Sequence, residues 1–201
     1  NNGTLIFNRS DALSYSGTFS GSGALTVAGA GGLTLSGVAS YTGLTTVSSS
    51  SIKYTNNTVP STSGFAGAGF VTIQPAIGGT YASAFTPSYS LASTLTGLTL
   101  GHSTNTANIT LNNAIGIAGP ISVTGGTITV NQNLNTSTAA SASAVMLKGQ
   151  GNVSLASSKS ITTNGGAVTF WSDSDANGAG YVQMLTNSSV STSGGAITLG
   201  G

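Results

Sequence analysis

Gly151-Asn152-Val153-Ser154-Leu155 and Gly180-Tyr181-Val182-Gln183-Met184 open two stretches, residues 151–170 and 180–199, that align without a gap at an offset of 29. Ile161 falls opposite Val190, and Gly165-Gly166-Ala167-Val168-Thr169-Phe170 falls opposite Gly194-Gly195-Ala196-Ile197-Thr198-Leu199. Each copy holds about three short apolar-containing segments, Val153 to Leu155, Ile161 to Thr163 and Val168 to Phe170. Such a segment is a period-two strand with one dry face and one wet face. A unit this small cannot bury its dry face alone, so repeated units must stack. Three strands per repeat suit a triangular coil, in which every strand lies over its equivalent in the next coil at about 4.8 Å and three parallel sheets enclose one core.

The same pattern of apolar, Thr or Ser, apolar extends through most of the chain. It recurs at Leu25-Thr26-Val27, Leu33-Thr34-Leu35, Leu98-Thr99-Leu100, Ile109-Thr110-Leu111, Ile121-Ser122-Val123 and Ile128-Thr129-Val130. The run Gly125-Gly126-Thr127-Ile128-Thr129-Val130 reads as an earlier copy of residues 165–170 at an offset of 40, with the added length in a turn such as Thr138 to Ser143. The Gly-Gly pairs mark corners where a Cβ would clash or φ must be positive. No window carries a capped helical stripe. The expected fold is therefore all-β, a right-handed parallel β-helix (solenoid) with about three short strands per coil. Coils of roughly 20 to 30 residues give about eight of them and a rod on the order of 40 Å long.

Residues 60–92 depart from the aliphatic rhythm. Gln74-Pro75 through Pro87, with Tyr81, Phe85 and Tyr89, is aromatic and proline-marked. The expectation is one continuous solenoid in three parts: regular coils over 1–59, irregular coils or an extruded loop over 60–92, and regular coils again over 93–201. Tyr81, Phe85 and Tyr89 either pack against the rod or form a contact surface on a protruding loop for sugar or protein.

Composition bounds the function classes. Seven residues carry formal charge, Arg9, Lys53, Lys148, Lys159, Asp11, Asp173 and Asp175, for a net charge of +1. Ordinary soluble domains carry about 25% charged residues, against 3% here. Four scattered cations cannot neutralise a row of phosphates, so nucleic-acid binding is set aside. With no cysteine there is neither a disulfide framework nor a thiolate metal site. No run approaches the ~18 apolar residues of a membrane helix. Asn1-Asn2-Gly3-Thr4 does not open a signal peptide.

Gly23-Ala24-Leu25-Thr26-Val27, Gly32-Leu33-Thr34-Leu35-Ser36-Gly37 and Tyr41-Thr42-Gly43-Leu44-Thr45-Thr46-Val47 together resemble the β-strand repeat in passenger regions of bacterial autotransporters. From about residue 93 the chain resembles the haemagglutinin-type repeats of large exported adhesins, including those of two-partner secretion. The Asn164-Gly165-Gly166 and Ser193-Gly194-Gly195 corners carry that likeness. The resemblance implies export and display at the bacterial cell surface or in the extracellular space.

Few residues are candidates for chemistry. Asp173-Ser174-Asp175-Ala176-Asn177-Gly178 matches the opening of a calcium loop. Met184 stands where the bidentate Glu belongs, so Asp173, Asp175 and Asn177 are read either as a plain polar turn or as a weak calcium turn. His102 is the only histidine, and a serine nucleophile needs a base held by a third group. No catalytic residue, cofactor or metal site is therefore expected, and the chain is read as no enzyme. Thr-x-Thr pairs such as Thr104 and Thr106 or Thr127 and Thr129 raise an ice-binding solenoid as an alternative. Trp171 beside Phe170 is read as a core or capping residue or as an exposed contact.

The functional expectation is a structural rod of a secreted bacterial surface fibre or adhesin, whose polypeptide continues beyond this segment or whose copies stack end to end. The alternative is a recognition module that binds glycans or proteins of host or neighbouring cells through the 60–92 loop.

Overall fold

The computed structural model describes residues 1–201 and contains 24 strands and no helix. Every strand pair is parallel. The longest sheet runs through Leu13–Tyr15, Leu33–Leu35, Ser51–Thr55, Phe70–Gln74, Gly97–Gly101, Ile121–Gly125, Val145–Gly149, Val168–Trp171 and Ile197–Gly200. Nine strands stacked at about 4.8 Å per step form a column about 40 Å long.

This long sheet shows why the repeat folds as it does. Its register superposes Leu33, Ile52, Val71, Leu98, Ile121, Val145 and Val168, and beside them Leu35, Tyr54, Ile73, Leu100, Val123, Leu147 and Phe170. All of these side chains are buried within a single core cluster of 33 residues. Burying each aliphatic side chain contributes roughly 1.5–3 kcal/mol, and the alternating Thr and Ser stay on the wet face.

Coils in the N-terminal half visit a five-stranded sheet, the long sheet and a two-stranded sheet in turn. The five-stranded sheet comprises Leu5–Phe7, Leu25–Val27, Thr45–Val47, Gly64–Gly67 and Ser90–Leu91; the two-stranded sheet pairs Phe19–Gly21 with Ala39–Tyr41. In the C-terminal half the long sheet alternates with two four-stranded sheets. One stacks Ile109–Leu111, Ile128–Val130, Val153–Leu155 and Val182–Met184; the other stacks Ile115–Gly116, Leu134–Asn135, Ser160–Thr162 and Ser189–Ser191. About three strands per coil hold on either side of residues 60–92, where the third ladder is interrupted.

The offset of 29 is a true coil step, since Val153 pairs with Val182, Ile161 with Val190 and Val168 with Ile197. The offset of 40 is corrected. Ile128 stacks under Val153, whereas Val168 stacks on Val145, so the two Gly-Gly runs lie at different corners of the triangle. The actual steps here are much shorter, running from Ile121 to Val145 and from Val145 to Val168. Triplets on different faces share the same pattern, so similarity alone does not tell one corner from another.

Gly165 and Gly166 divide the corner's two requirements between them. Gly165 has φ 78° and little around it, whereas a Cβ on Gly166 would stand 2.1 Å from the Ser143 carbonyl oxygen. The first glycine is chosen for its backbone angle, the second for close approach of the coil beneath.

Residues 60–92 do not extrude as a hairpin. They supply Gly64–Gly67, Phe70–Gln74 and Ser90–Leu91 as in-register rungs, leaving Ile77 on an exposed turn. This region joins two coil sizes. Along the long sheet the early coils are short, stepping from Leu13 to Leu33, to Ile52 and to Val71. Every later coil is longer, stepping from Val71 to Leu98, Ile121, Val145, Val168 and Ile197. Only the long sheet crosses the join, because Ser90–Leu91 does not pair with Ile115–Gly116. Between Ala39–Tyr41 and Ile109–Leu111 the ladder reduces to isolated contacts, the amide of Ser61 donating to the Ala39 carbonyl and Phe85 bridging to Ile109. Pro60 and Pro87 lie along this break and lack the N–H that a ladder needs.

Candidate functional site

The three aromatics of the 60–92 segment, read as packed against the rod or as a contact surface, are largely inside the molecule. Tyr81 and Phe85 are each 3% exposed, and Tyr89 is partly buried against the same core. Of the two readings open for them, packing against the rod matches this burial. Rings run in a chain from Tyr54 to Phe65 at 6.0 Å, Phe65 to Tyr89 at 5.2 Å, Tyr89 to Phe85 at 6.3 Å and Phe85 to Tyr81 at 5.0 Å. The coil from Val71 to Leu98 is longer than the one from Ile52 to Val71, and the added residues carry Tyr81, Phe85 and Tyr89, whose rings pack against the core and continue the chain begun by Tyr54 and Phe65. Their polar tips are satisfied locally. Tyr81 Oη donates to the Ile73 carbonyl at 2.7 Å and Tyr89 Oη to the Pro60 carbonyl at 2.9 Å.

One buried polar cluster adjoins this chain. Thr45 Oγ1 lies 2.6 Å from Tyr41 Oη and 3.0 Å from Thr62 Oγ1, and the Tyr41 and Tyr54 hydroxyls bond to each other. Thr62 Oγ1 also donates to the Gly43 carbonyl at 2.7 Å. Burial pushes the Tyr41, Tyr54, Tyr81 and Tyr89 phenols above their ordinary pKa. The cluster is a hydroxyl network of neutral groups with no carboxylate, amine or imidazole among its bonded members, suited to holding a corner rather than to moving a proton.

The acidic loop is built as a turn. Asp173 Oδ1 accepts from the amides of Asn177 at 2.9 Å and Gly178 at 3.1 Å, and Asn177 Nδ2 donates to Asp175 Oδ2 at 2.9 Å. Positive φ at Asp173, Ala176 and Gly178 gives the tight path that those bonds close. Asp173 and Asn177 thus cap their own backbone, and no group of three His, Cys, Asp or Glu side chains gathers here or elsewhere. His102 is at the surface with Nδ1 3.2 Å from Thr104 Oγ1. Several threonines from Thr-x-Thr pairs have their hydroxyls bonded within the rod. Thr94, Thr96 and Thr104 donate to carbonyls of Gly67, Ala68 and Gly79 in the preceding coil, and Thr136 is buried with its hydroxyl on the Ser143 carbonyl.

The outer surface of the long sheet carries the feature that sequence reading did not assemble. Its central outward column reads Ser14, Thr34, Lys53, Thr72, Thr99, Ser122, Met146, Thr169 and Thr198. Two positions further along each strand, Gly101, Thr124, Lys148, Trp171 and Gly200 form a second column. Met146, Lys148, Thr169 and Trp171 line an open hollow of about 230 Å³. The sole ion pair of the chain is between Arg9 and Asp11, so Lys148 has no acidic partner. The signal was present as the coil step that places Lys148 beside Trp171, and the alignment at an offset of 40 concealed it.

No family model, curated protein or solved structure matches the chain.

Proposed function

We propose that this chain is a rigid rod segment of a secreted bacterial surface fibre or adhesin, acting as a spacer that holds a more distal part away from the cell. The observation that carries this reading is the single uninterrupted nine-stranded parallel sheet over one aliphatic core, with a charge-poor, hydroxyl-rich exterior. In such a column each coil contacts only its neighbours, so length is gained by adding coils and stiffness comes from the ladder that joins them. The resemblance of residues 23–47 to autotransporter passenger repeats and of the later Gly-Gly corners to haemagglutinin-type repeats supports export and extracellular display. The lack of cysteine is compatible with an oxidising compartment and calls for no disulfide chemistry there.

An in-frame deletion within the natural polypeptide tests the proposal. Removing residues 13–200 shortens the fibre seen by electron microscopy by about 40 Å and leaves adhesion by its distal part unchanged. Loss of adhesion with a fibre still projecting normally would make this segment a recognition module instead.

A further inference from the structure

Trp171 is the only tryptophan, and it is 40% exposed on the outer face of the long sheet. The rod has interior room for large rings, since Phe65 and Phe170 are fully buried, yet this indole points outward. Its neighbours explain how it sits. A Cβ on Gly200 would lie 3.1 Å from the indole Cε3 and Cζ3, so the ring occupies the space that a side chain at 200 would take. On the flank away from Gly200 is the hollow formed with Met146, Lys148 and Thr169.

We infer that this hollow is a saccharide-binding subsite that takes one pyranose ring. The indole and the Met146 thioether provide an apolar wall. The C–H groups on a pyranose face carry small positive charges and are attracted to the electron-rich face of an aromatic ring. Lys148 supplies an ammonium with three donors and no acceptor, and Thr169 a hydroxyl, both suited to the ring of oxygens at a sugar's edge. Lys148 forms no ion pair, and every other residue of the two columns, Lys53 and Gln74 excepted, is Ser, Thr or Gly. Met146, Lys148 and Trp171 are therefore the one place in these columns where apolar and cationic side chains meet. A hollow bounded by four side chains is too short for a helix or an extended peptide, and its polar edge does not suit an acyl chain. Neutral sugars and uronic acids share the stacking chemistry and differ only in what they ask of Lys148. The inference does not depend on the rod being a spacer.

Because Trp171 is the sole indole, its emission reports the site directly. The folded chain is titrated with a neutral β-1,4-linked glucose hexamer and with a galacturonic acid hexamer, followed by fluorescence and calorimetry. At least one of them shifts the emission saturably, and Trp171→Ala weakens its calorimetric affinity by about tenfold or more. Lys148→Met weakens the acidic oligomer more than the neutral one, and Thr72→Ala, on the same face, changes neither. Unaltered circular dichroism of these surface variants certifies that the fold is intact. The inference is overturned if neither oligosaccharide binds, or if binding survives Trp171→Ala. It is also overturned if sedimentation shows a dimer that Trp171→Ala abolishes, which would make the patch a contact between copies.

Discussion

Truncating Phe85 at the join between the two coil sizes separates the rod into two folding units. The side chain is 3% exposed and stands between Tyr81 at 5.0 Å and Tyr89 at 6.3 Å. Its backbone is the one bridge between the two halves on its face, with the Phe85 amide on the Asn108 carbonyl and the Thr110 amide on the Phe85 carbonyl. Replacing a buried Phe by Ala costs about 3–5 kcal/mol, the cavity included. For a chain of this length, that lowers Tm by roughly 6–20 °C. The location gives the loss its signature. The long sheet, the aromatic chain, the Phe85 bridge and the hydrogen bonds of Thr80 and Tyr81 to Asn105 couple the halves, and stability in a stacked-coil protein is a sum of nearest-neighbour terms. Urea unfolding of Phe85→Ala, followed by circular dichroism and by hydrogen exchange, therefore divides into two transitions, with early exchange at residues 57–62 and 104–116. Phe170→Ala, equally buried but inside the regular C-terminal coils, leaves the two ends of the rod as separable or inseparable as they were. A single transition for Phe85→Ala displaced by less than about 1 kcal/mol would refute the reasoning, because the join would then be no weaker than any other coil contact.

Thr45→Val removes the hydroxyl shared by Tyr41, Tyr54 and Thr62 and leaves buried partners unpaired, at a cost of about 1–3 kcal/mol in urea melts; a neutral result would mean that the network rearranges without loss. Gly166→Ala is far more damaging than Gly165→Ala, since the first drives a Cβ to 2.1 Å from a carbonyl and the second meets only a left-handed φ costing about 1–2 kcal/mol, a contrast that thermal melts read directly. Raising pH destabilises the fold through its tyrosines. The unfolded chain releases phenol protons near pH 10.0, whereas burial keeps those of Tyr41, Tyr54, Tyr81 and Tyr89 bound in the folded state. The folded state thus holds more protons above that pH, and stability falls by up to about 1.4 kcal/mol per pH unit for each such tyrosine, with no tyrosine contribution below it. Urea midpoints taken between roughly pH 9 and 11 measure the slope, Tyr54→Phe reduces it, and ordinary titration of these four buried phenols in the folded protein would contradict it.

Much of the architecture is legible in short strings of residues. A Val-Ser-Leu or Ile-Thr-Val triplet has one dry and one wet face wherever it occurs, and three per repeat with Gly-Gly corners admit few folds besides a stacked coil. The weakness of that signal is its uniformity. Ile128-Thr129-Val130 and Val168-Thr169-Phe170 look equivalent, yet they belong to different faces because each stacks on whatever the coil length brings beneath it. Tyr81, Phe85 and Tyr89 break the aliphatic pattern and so read as a loop, whereas their rings pack inward on the core and on one another. Asp173, Asp175 and Asn177 match a ligand motif, and their bonds to local amides and to each other show a turn held by its own side chains.

By itself the sequence determined the class of fold, the wet and dry sides of nearly every strand and the poverty of charge, because these follow from residue type at a spacing of two. Only the tertiary structure decided which coil lies over which, where the two coil sizes meet, and that Lys148 and Met146 adjoin Trp171 across a strand gap. Those neighbours are separated along the chain by turns of variable length, and no local periodicity records the sum of those lengths.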